Sequence, residues 1–240
     1  MGNEKKVPKM VRKSSEIFGV IAPTFLAEPT GLLSLLITST GDLIADSLDK
    51  KLSEREALRT NMAYQYFVDR LKQHQDNGLV IRDDDFFRFS VGVRKPFEEL
   101  FEAVLIKSKD QYEEEKVKFF SNLYANGCVD TTLSPQMISL FILILDRLSF
   151  NHLDILNRFE ILGLESLWQS NDVYTLQDQN PLLPTYIEEL KNLNLITPTF
   201  WGDSPLKITN LGKKLIKSIE FNNIFDLPHN HCISKNNPVR

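Results

Sequence analysis

Cysteine is nearly absent: the 240 residues contain two, Cys128 and Cys232. Two distant thiols make no disulfide framework, and the pattern fits a protein of a reducing compartment. Charge of one sign is also lacking. Lys plus Arg total 28 against 32 for Asp plus Glu, a net charge of -4, so no global field draws the chain to nucleic acid or acidic lipid. No uninterrupted apolar run reaches the ~18 residues a spanning helix needs. The sequence has no GxSxG, no phosphate-binding glycine loop and no His-Glu-x-x-His, so the common nucleophile, nucleotide and zinc-hydrolase patterns are missing. No cofactor is implied, and the expectation is a protein without enzymatic activity.

What is present is helical periodicity. Leu43, Ile44, Leu48 and Leu52 make one apolar stripe, which Leu58, Met62, Tyr66 and Leu71 continue. Ser53 followed by Glu56 has capping-box form and starts a new helix, which Asp76-Asn77-Gly78 ends. The stretch 79–95 reads as a loop with a short strand. Pro96 then opens a long helix with Phe97, Leu100, Phe101, Val104 and Leu105 inward and a break near Lys109. Mixed charge from Asp110 to Lys118 predicts an exposed face. Ser134-Pro135 starts another helix, whose MISLFILILDRL is nearly all apolar and is therefore expected to be the most buried. Ser149 caps FNHLDILNRFEIL, with His152 placed to join that cap.

Beyond Gly163 the pattern changes. A polar stretch, 169–180, leads to Pro181 and Pro184 and the short helix TYIEELKNLNL. LITPTFW and LKIT read as two strands joined by Gly202-Asp203-Ser204-Pro205, and NLGKKLIKSIEF as a last amphipathic helix. The expected fold is mainly α: a helical domain followed by a small winged helix-turn-helix-like domain with a short β-hairpin. The boundaries are a basic and apolar N-terminal segment over 1–45, a helical domain over 46–148, the winged-helix-like domain over 149–223, and a flexible tail over 224–240.

The N-terminal segment has two readings. Lys5, Lys6, Lys9, Arg12 and Lys13 precede apolar residues that Pro23, Glu28 and Pro29 interrupt. This is the outline of a signal peptide without its small-x-small cleavage site, so a cytoplasmic location is expected. The segment is either a helical pair in the core or a basic hairpin at the inner membrane surface. In the second case Ile17, Phe18, Ile21, Phe25, Leu32, Leu33, Leu35 and Leu36 would make the contact.

The candidate chemistry is thin. Asp83, Asp84 and Asp85 lack the spacing of a calcium loop. His229, His231 and Cys232 fall short of the four ligands of a closed zinc site, so no metal is assigned. Cys128 sits at a helix C-terminus, where outward carbonyls disfavour a thiolate. Lys191, Lys207, Lys213, Lys214 and Lys217 are the candidate nucleic-acid or partner surface. Glu188 and Glu189 on the recognition-helix candidate argue against DNA, since phosphate neutralisation needs cations there. Asn122, Asn126 and Asp130 recur at a spacing of four and are expected to act as a polar clasp. The backbone they hold is expected in the loop Asp83 to Phe87, with Gly127 ending the helix.

Two blocks carry a family likeness: KVKFFSNLYANGCVD with LSPQMISLFILILDRLSFNHLDIL, and ELKNLNLIT with ITNLGKKLIKSI. They resemble an uncharacterised group of bacterial helical proteins, domains of unknown function with a Phe-x-Asn-Leu-x-Ala helix and a winged-helix-like end. The resemblance covers roughly the second half of the chain and implies a setting in bacterial defence or stress. The functional expectation is an interaction or regulatory protein with a protein partner or a second copy of itself. A membrane-acting effector and a DNA-binding regulator are the alternatives.

Overall fold

The computed structural model describes residues 40, 41, 43, 52–88, 94–162, 181–199 and 206–221. The candidate membrane-contact residues, the polar stretch 169–180, the turn 202–205 and the tail with His229, His231 and Cys232 lie outside the described residues. Among the described residues the protein is mainly helical, with seven helices and one two-stranded antiparallel sheet.

Helix α1 (Glu54–Asp76) begins where the sequence predicts. Ser53 Oγ accepts from Glu56 N at 3.3 Å, and Ser53 N donates to Glu56 Oε2 at 2.7 Å, the reciprocal capping box. Gly78, at φ 73°, turns the chain just past its end. The buried face of α1 follows the predicted stripe only in part: Leu71 is buried. Thr60, Ala63, Tyr64, Phe67, Val68, Leu71 and His74 are buried, whereas Leu58 is 52% exposed. Met62 and Tyr66 are partly buried against the core. Residues 79–88 form turns with no strand.

Helix α2 (Pro96–Asp110) starts on its proline and stops at Gln111, close to the expected break. Helix α3 (Glu115–Gly127) follows, then α4 (Pro135–Arg147), where Ser134 Oγ accepts from Met137 N at 3.2 Å. Helix α5 (Phe150–Leu162) starts beyond Ser149, whose hydroxyl lies 2.7 Å from His152 Nδ1.

The most buried helix is α3 rather than α4. Eleven residues of α3 are buried, including the polar Lys116, Ser121, Asn122 and Asn126, whereas Leu140 and Leu143 of α4 are 43% and 59% exposed. The cause is position. α3 lies against α1, α2, α4 and the C-terminal helix, while α4 covers one side of the bundle. Lys116, expected on an exposed face, is only 2% exposed and sits 3.8 Å from Glu113.

The core has an aromatic centre. Phe67, Phe101 and Tyr124 meet with ring centroids 5.0–5.1 Å apart, and the Tyr124 hydroxyl donates to the Phe97 carbonyl at 2.8 Å. Burying such rings contributes about 2–3 kcal/mol each in transfer free energy, and the bonded hydroxyl avoids a desolvation cost. A second group, Phe119, Phe150 and Phe221, joins α3 to the start of α5 and the end of the last described helix.

After α5 come α6 (Leu183–Asn192), β1 (Ile196–Pro198), β2 (Leu206–Ile208) and α7 (Asn210–Ile219). The strands pair antiparallel with Ile196 opposite Ile208 and Pro198 opposite Leu206. Thr209 caps α7, its Oγ1 accepting from Gly212 N at 3.0 Å and donating to Asn194 O at 2.7 Å. α7 packs on both α3 and α5. Among the described residues no helix is long and apolar enough to cross a membrane.

Candidate functional site

Helix α3 ends in a polar layer that receives the C-terminal end of α7. The last carbonyls of a helix have no partner within it, and α7 ends inside the protein. Asn122 Nδ2 donates to the Ile219 carbonyl at 3.0 Å, and Asn126 Nδ2 to the Ser218 carbonyl at 2.8 Å. One helical turn of α3 thus supplies two amide donors to consecutive carbonyls. The backbone held is 218–219, not the expected loop Asp83 to Phe87. That loop is fastened by other groups.

Asn126 is also the hub of a network. Its Nδ2 reaches Glu220 Oε1 at 3.2 Å, which leaves Oδ1 to accept from Arg70 Nε at 3.4 Å and from His74 Nε2 at 2.7 Å. Because Oδ1 cannot donate, His74 carries its proton on Nε2. Its Nδ1 is buried without a partner. Burial and the adjacent Arg70 guanidinium hold the His74 pKa below its ordinary value, against the opposing bond to Asn126. Arg70 pairs with the Glu220 carboxylate and donates to Gln73 Oε1 at 2.8 Å. Glu220 occupies the left-handed cap position of α7 at φ 53°. Only glycine and asparagine take that conformation readily, so the Arg70 and Asn126 contacts hold a strained residue in place.

Asp130 does not join this layer. α3 ends at Gly127, and Asp130 Oδ1 accepts from Thr132 N at 2.8 Å while its carbonyl accepts from Arg82. Gly127 sits in close approach: a Cβ there would meet Ile138 Cδ1, the far end of a side chain, at 2.5 Å. Arg82 fastens the far side. Its guanidinium, 4% exposed, donates to the carbonyls of Gly127, Asp130 and Leu133 at 2.6–3.1 Å and forks onto Asp84. Asp84, once a candidate cation ligand, is thereby an ion-pair partner with its pKa lowered chiefly by Arg82.

Arg70, His74, Arg82 and Glu220 are absent from the sequence-derived candidates. Arg70, Gln73 and His74 do share the spacing of one helical face, the signal that a polar patch belongs to α1. Arg82 gives no such signal, because in IRDDD it reads as one charge among many.

Beside the clasp lies a cleft of about 800 Å³. It is lined by Arg70 and His74 of α1, Asn126 of α3, Lys213, Lys214 and Lys217 of α7, and the carboxylates of Asp130, Glu160 and Glu220. Leu79 and Val129 add apolar surface. Lys213 lies 3.8 Å from Glu160, and Lys214 Nζ donates to the Thr132 carbonyl at 2.7 Å. Lys191 and Lys207 are elsewhere: Lys191 pairs with Glu188 at 2.8 Å on α6, and Lys207 is exposed on β2. The five lysines therefore form no single surface.

Nucleophilic chemistry has little to work with among the described residues. Cys128 is completely buried, and burial pushes its thiol pKa well above the ordinary value. The Ser149 hydroxyl and the Ser149 N–H both face His152 Nδ1, the geometry of a helix cap. His152 is itself held below its ordinary pKa by burial. No group of three or more His, Cys, Asp or Glu among the described residues could hold a metal ion. No family model, no curated protein and no solved structure matches the chain.

Proposed function

We propose that this chain is a non-enzymatic bacterial interaction protein that uses its C-terminal helix–hairpin–helix end, arranged as a winged helix, to contact a protein partner. The observation that carries the reading is the mounting of that end. The carbonyls that close α7 are held by Asn122 and Asn126 of the most buried helix. α6, by contrast, keeps a solvent-facing row of Pro184, Thr185, Glu188 and Asn192. A rigidly held module with one free helical face is suited to recognition. The setting, bacterial defence or stress, rests on the resemblance in KVKFFSNLYANGCVD and ITNLGKKLIKSI.

Two observations weigh against a DNA regulator. The solvent face of α6 carries Glu188, whose charge Lys191 offsets, and Glu189 is tied to Arg147 of α4. Without free cations on that helix the counterion-release contribution is small. A membrane-acting effector depends on residues 17–44, of which only 40, 41 and 43 are described, Thr40 being buried.

The test is a paired measurement on the full chain. Sedimentation velocity and affinity capture from the native host are run on the wild type and on Thr185→Arg/Glu188→Arg, which alters only the exposed face of α6. A stable assembly that the double variant abolishes, with unchanged thermal unfolding, supports the reading. A monodisperse monomer with no partner, or an assembly indifferent to the two substitutions, defeats it.

A further inference from the structure

The cleft between α7 and the α3–α4 connection is lined by Arg70, Lys213, Lys214 and Lys217 and by the carboxylates of Asp130, Glu160 and Glu220. α7 has no acidic residue in its first turn, and Lys213 and Lys214 follow within the next. Lys217 lies in the last turn, where the helix dipole favours a cation. The charges are only partly neutralised in place. Lys214 bonds a neutral carbonyl, the Lys213–Glu160 distance is at the outer limit of an ion pair, and Lys217 has no carboxylate partner among the described residues. The Arg70 charge is taken up by Glu220 and Lys213 is paired with Glu160, leaving Lys214 and Lys217 as the cations without a carboxylate partner among the described residues.

Lys214 and Lys217 are three residues apart, a spacing that puts two side chains on one helical face. Both line the same cleft. Two lysines lining one space suit a dianion, and lysine binds phosphate as a point charge. The apolar surface of Leu79 and Val129 adjoins them, and Leu79 is half exposed. A volume of about 800 Å³ suits a ligand of nucleotide size, since small-molecule sites span roughly 300–1,000 Å³. We propose that this cleft binds a phosphorylated small molecule, with the phosphate on Lys214 and Lys217 and a ring-bearing body on the Leu79–Val129 surface. No residue of α6 lines the cleft, so this site stands apart from the partner contact proposed above, and either can fail alone.

The experiment uses adenosine monophosphate and inorganic phosphate as probes. Binding to the full chain is followed at low salt by calorimetry and by amide chemical shifts. The expected result is saturable binding of adenosine monophosphate, tighter than inorganic phosphate, with shifts concentrated at 129–133 and 213–218. Lys217→Glu weakens it by about tenfold or more, the size of one lost charge-assisted contact. Lys207→Glu, on exposed β2 outside the cleft, leaves it unchanged. Lys217→Ala serves as the second variant, and thermal unfolding confirms that each variant folds. Absence of saturable binding below about 10 mM, or equal binding by wild type and both Lys217 variants, overturns the proposal. So does a duplex oligonucleotide that binds more tightly than adenosine monophosphate and is weakened alike by Lys207→Glu and Lys217→Glu, since that pattern belongs to an extended nucleic-acid surface.

Discussion

Asn126 donates its side-chain amide to the carbonyl of Ser218, 92 positions further along the chain, at 2.8 Å. The bond joins the most buried helix to the C-terminal end of the last one. Both partners are buried, so removal of the amide leaves an unsatisfied carbonyl and frees His74 and Glu220 from the same hub. Leaving one buried polar group unpaired costs about 1–3 kcal/mol. Asn126→Leu therefore should destabilise the protein by about 2–4 kcal/mol, more than Asn122→Ala, which strands one carbonyl. Urea unfolding midpoints measure both. Unchanged stability of Asn126→Leu contradicts the clasp.

Arg82 has a comparable role on the opposite side of the same helix end. It satisfies three carbonyls of the Gly127–Leu133 turn and neutralises Asp84. Lysine lacks the planar fork needed to reach these acceptors together. Arg82→Lys is expected to lose about 2–3 kcal/mol, and Arg82→Met about 3–5 kcal/mol because Asp84 then lacks its partner. Equilibrium unfolding of the two variants tests the order: a lysine variant as stable as the wild type means that charge alone suffices.

How far this arrangement could be read from the chain depends on the range of each interaction. Ser53 with Glu56 and Ser134 with Pro135 act within one turn, so their helix starts are legible. Asn122 and Asn126 announce themselves by spacing on the apolar second half of their helix. Their acceptors, Ile219 and Ser218, leave no mark in the sequence, because any backbone can offer a carbonyl. The misplaced burial of α4 has a related cause. Its composition is the more apolar, but α3 is enclosed from four sides, and enclosure allows it to hold Lys116, Asn122 and Asn126 against specific partners. Arg82 was hidden in a charged run whose other members, Asp83 and Asp85, are exposed.

Acid should loosen the same layer. The folded pKa values of His74 and His152 both lie below the ordinary 6.5, each chiefly through burial. Arg70 also opposes a charge on His74; at His152, Glu189 and Glu113 favour it and Lys116 opposes it. The unfolded chain then binds protons first as the pH falls. The stability associated with neutral imidazoles is fully present above 6.5 and is lost as pH drops through the folded values. Unfolding free energies at pH 7.5, 6.5 and 5.5 should decline in that order. His74→Gln, whose amide can still donate toward Asn126, should flatten part of the decline. A profile equally steep in that variant assigns the effect elsewhere.

The buried thiol gives a simpler test. Cys128 is enclosed with its pKa raised by burial, and thiol reactivity follows exposed thiolate. In a Cys232→Ser background, a small thiol reagent at pH 8 should leave the folded protein unmodified and label it once in denaturant. Rapid labelling without denaturant shows instead that the end of α3 opens, and places Cys128 in a locally unfolding unit.

Gly127 and Ile138 supply the most specific packing test. A methyl group at Gly127 would meet Ile138 Cδ1 at 2.5 Å, and that atom is the far end of a flexible side chain. Two effects oppose each other. Alanine gains about 1 kcal/mol over glycine inside a helix, whereas overpacking a filled core costs about 1–3 kcal/mol. Gly127→Ala alone should therefore lose about 1 kcal/mol net. Ile138→Val removes the clashing atom at a cost of about 0.5–1.5 kcal/mol. In that background Gly127→Ala should become neutral or stabilising, because the propensity gain remains after the clash is gone. The quantity to measure is the coupling in a double-mutant cycle of urea unfolding. A coupling of about 1 kcal/mol or more in the favourable direction locates the α3–α4 contact at these two residues. Strict additivity means that Gly127 is kept for another reason.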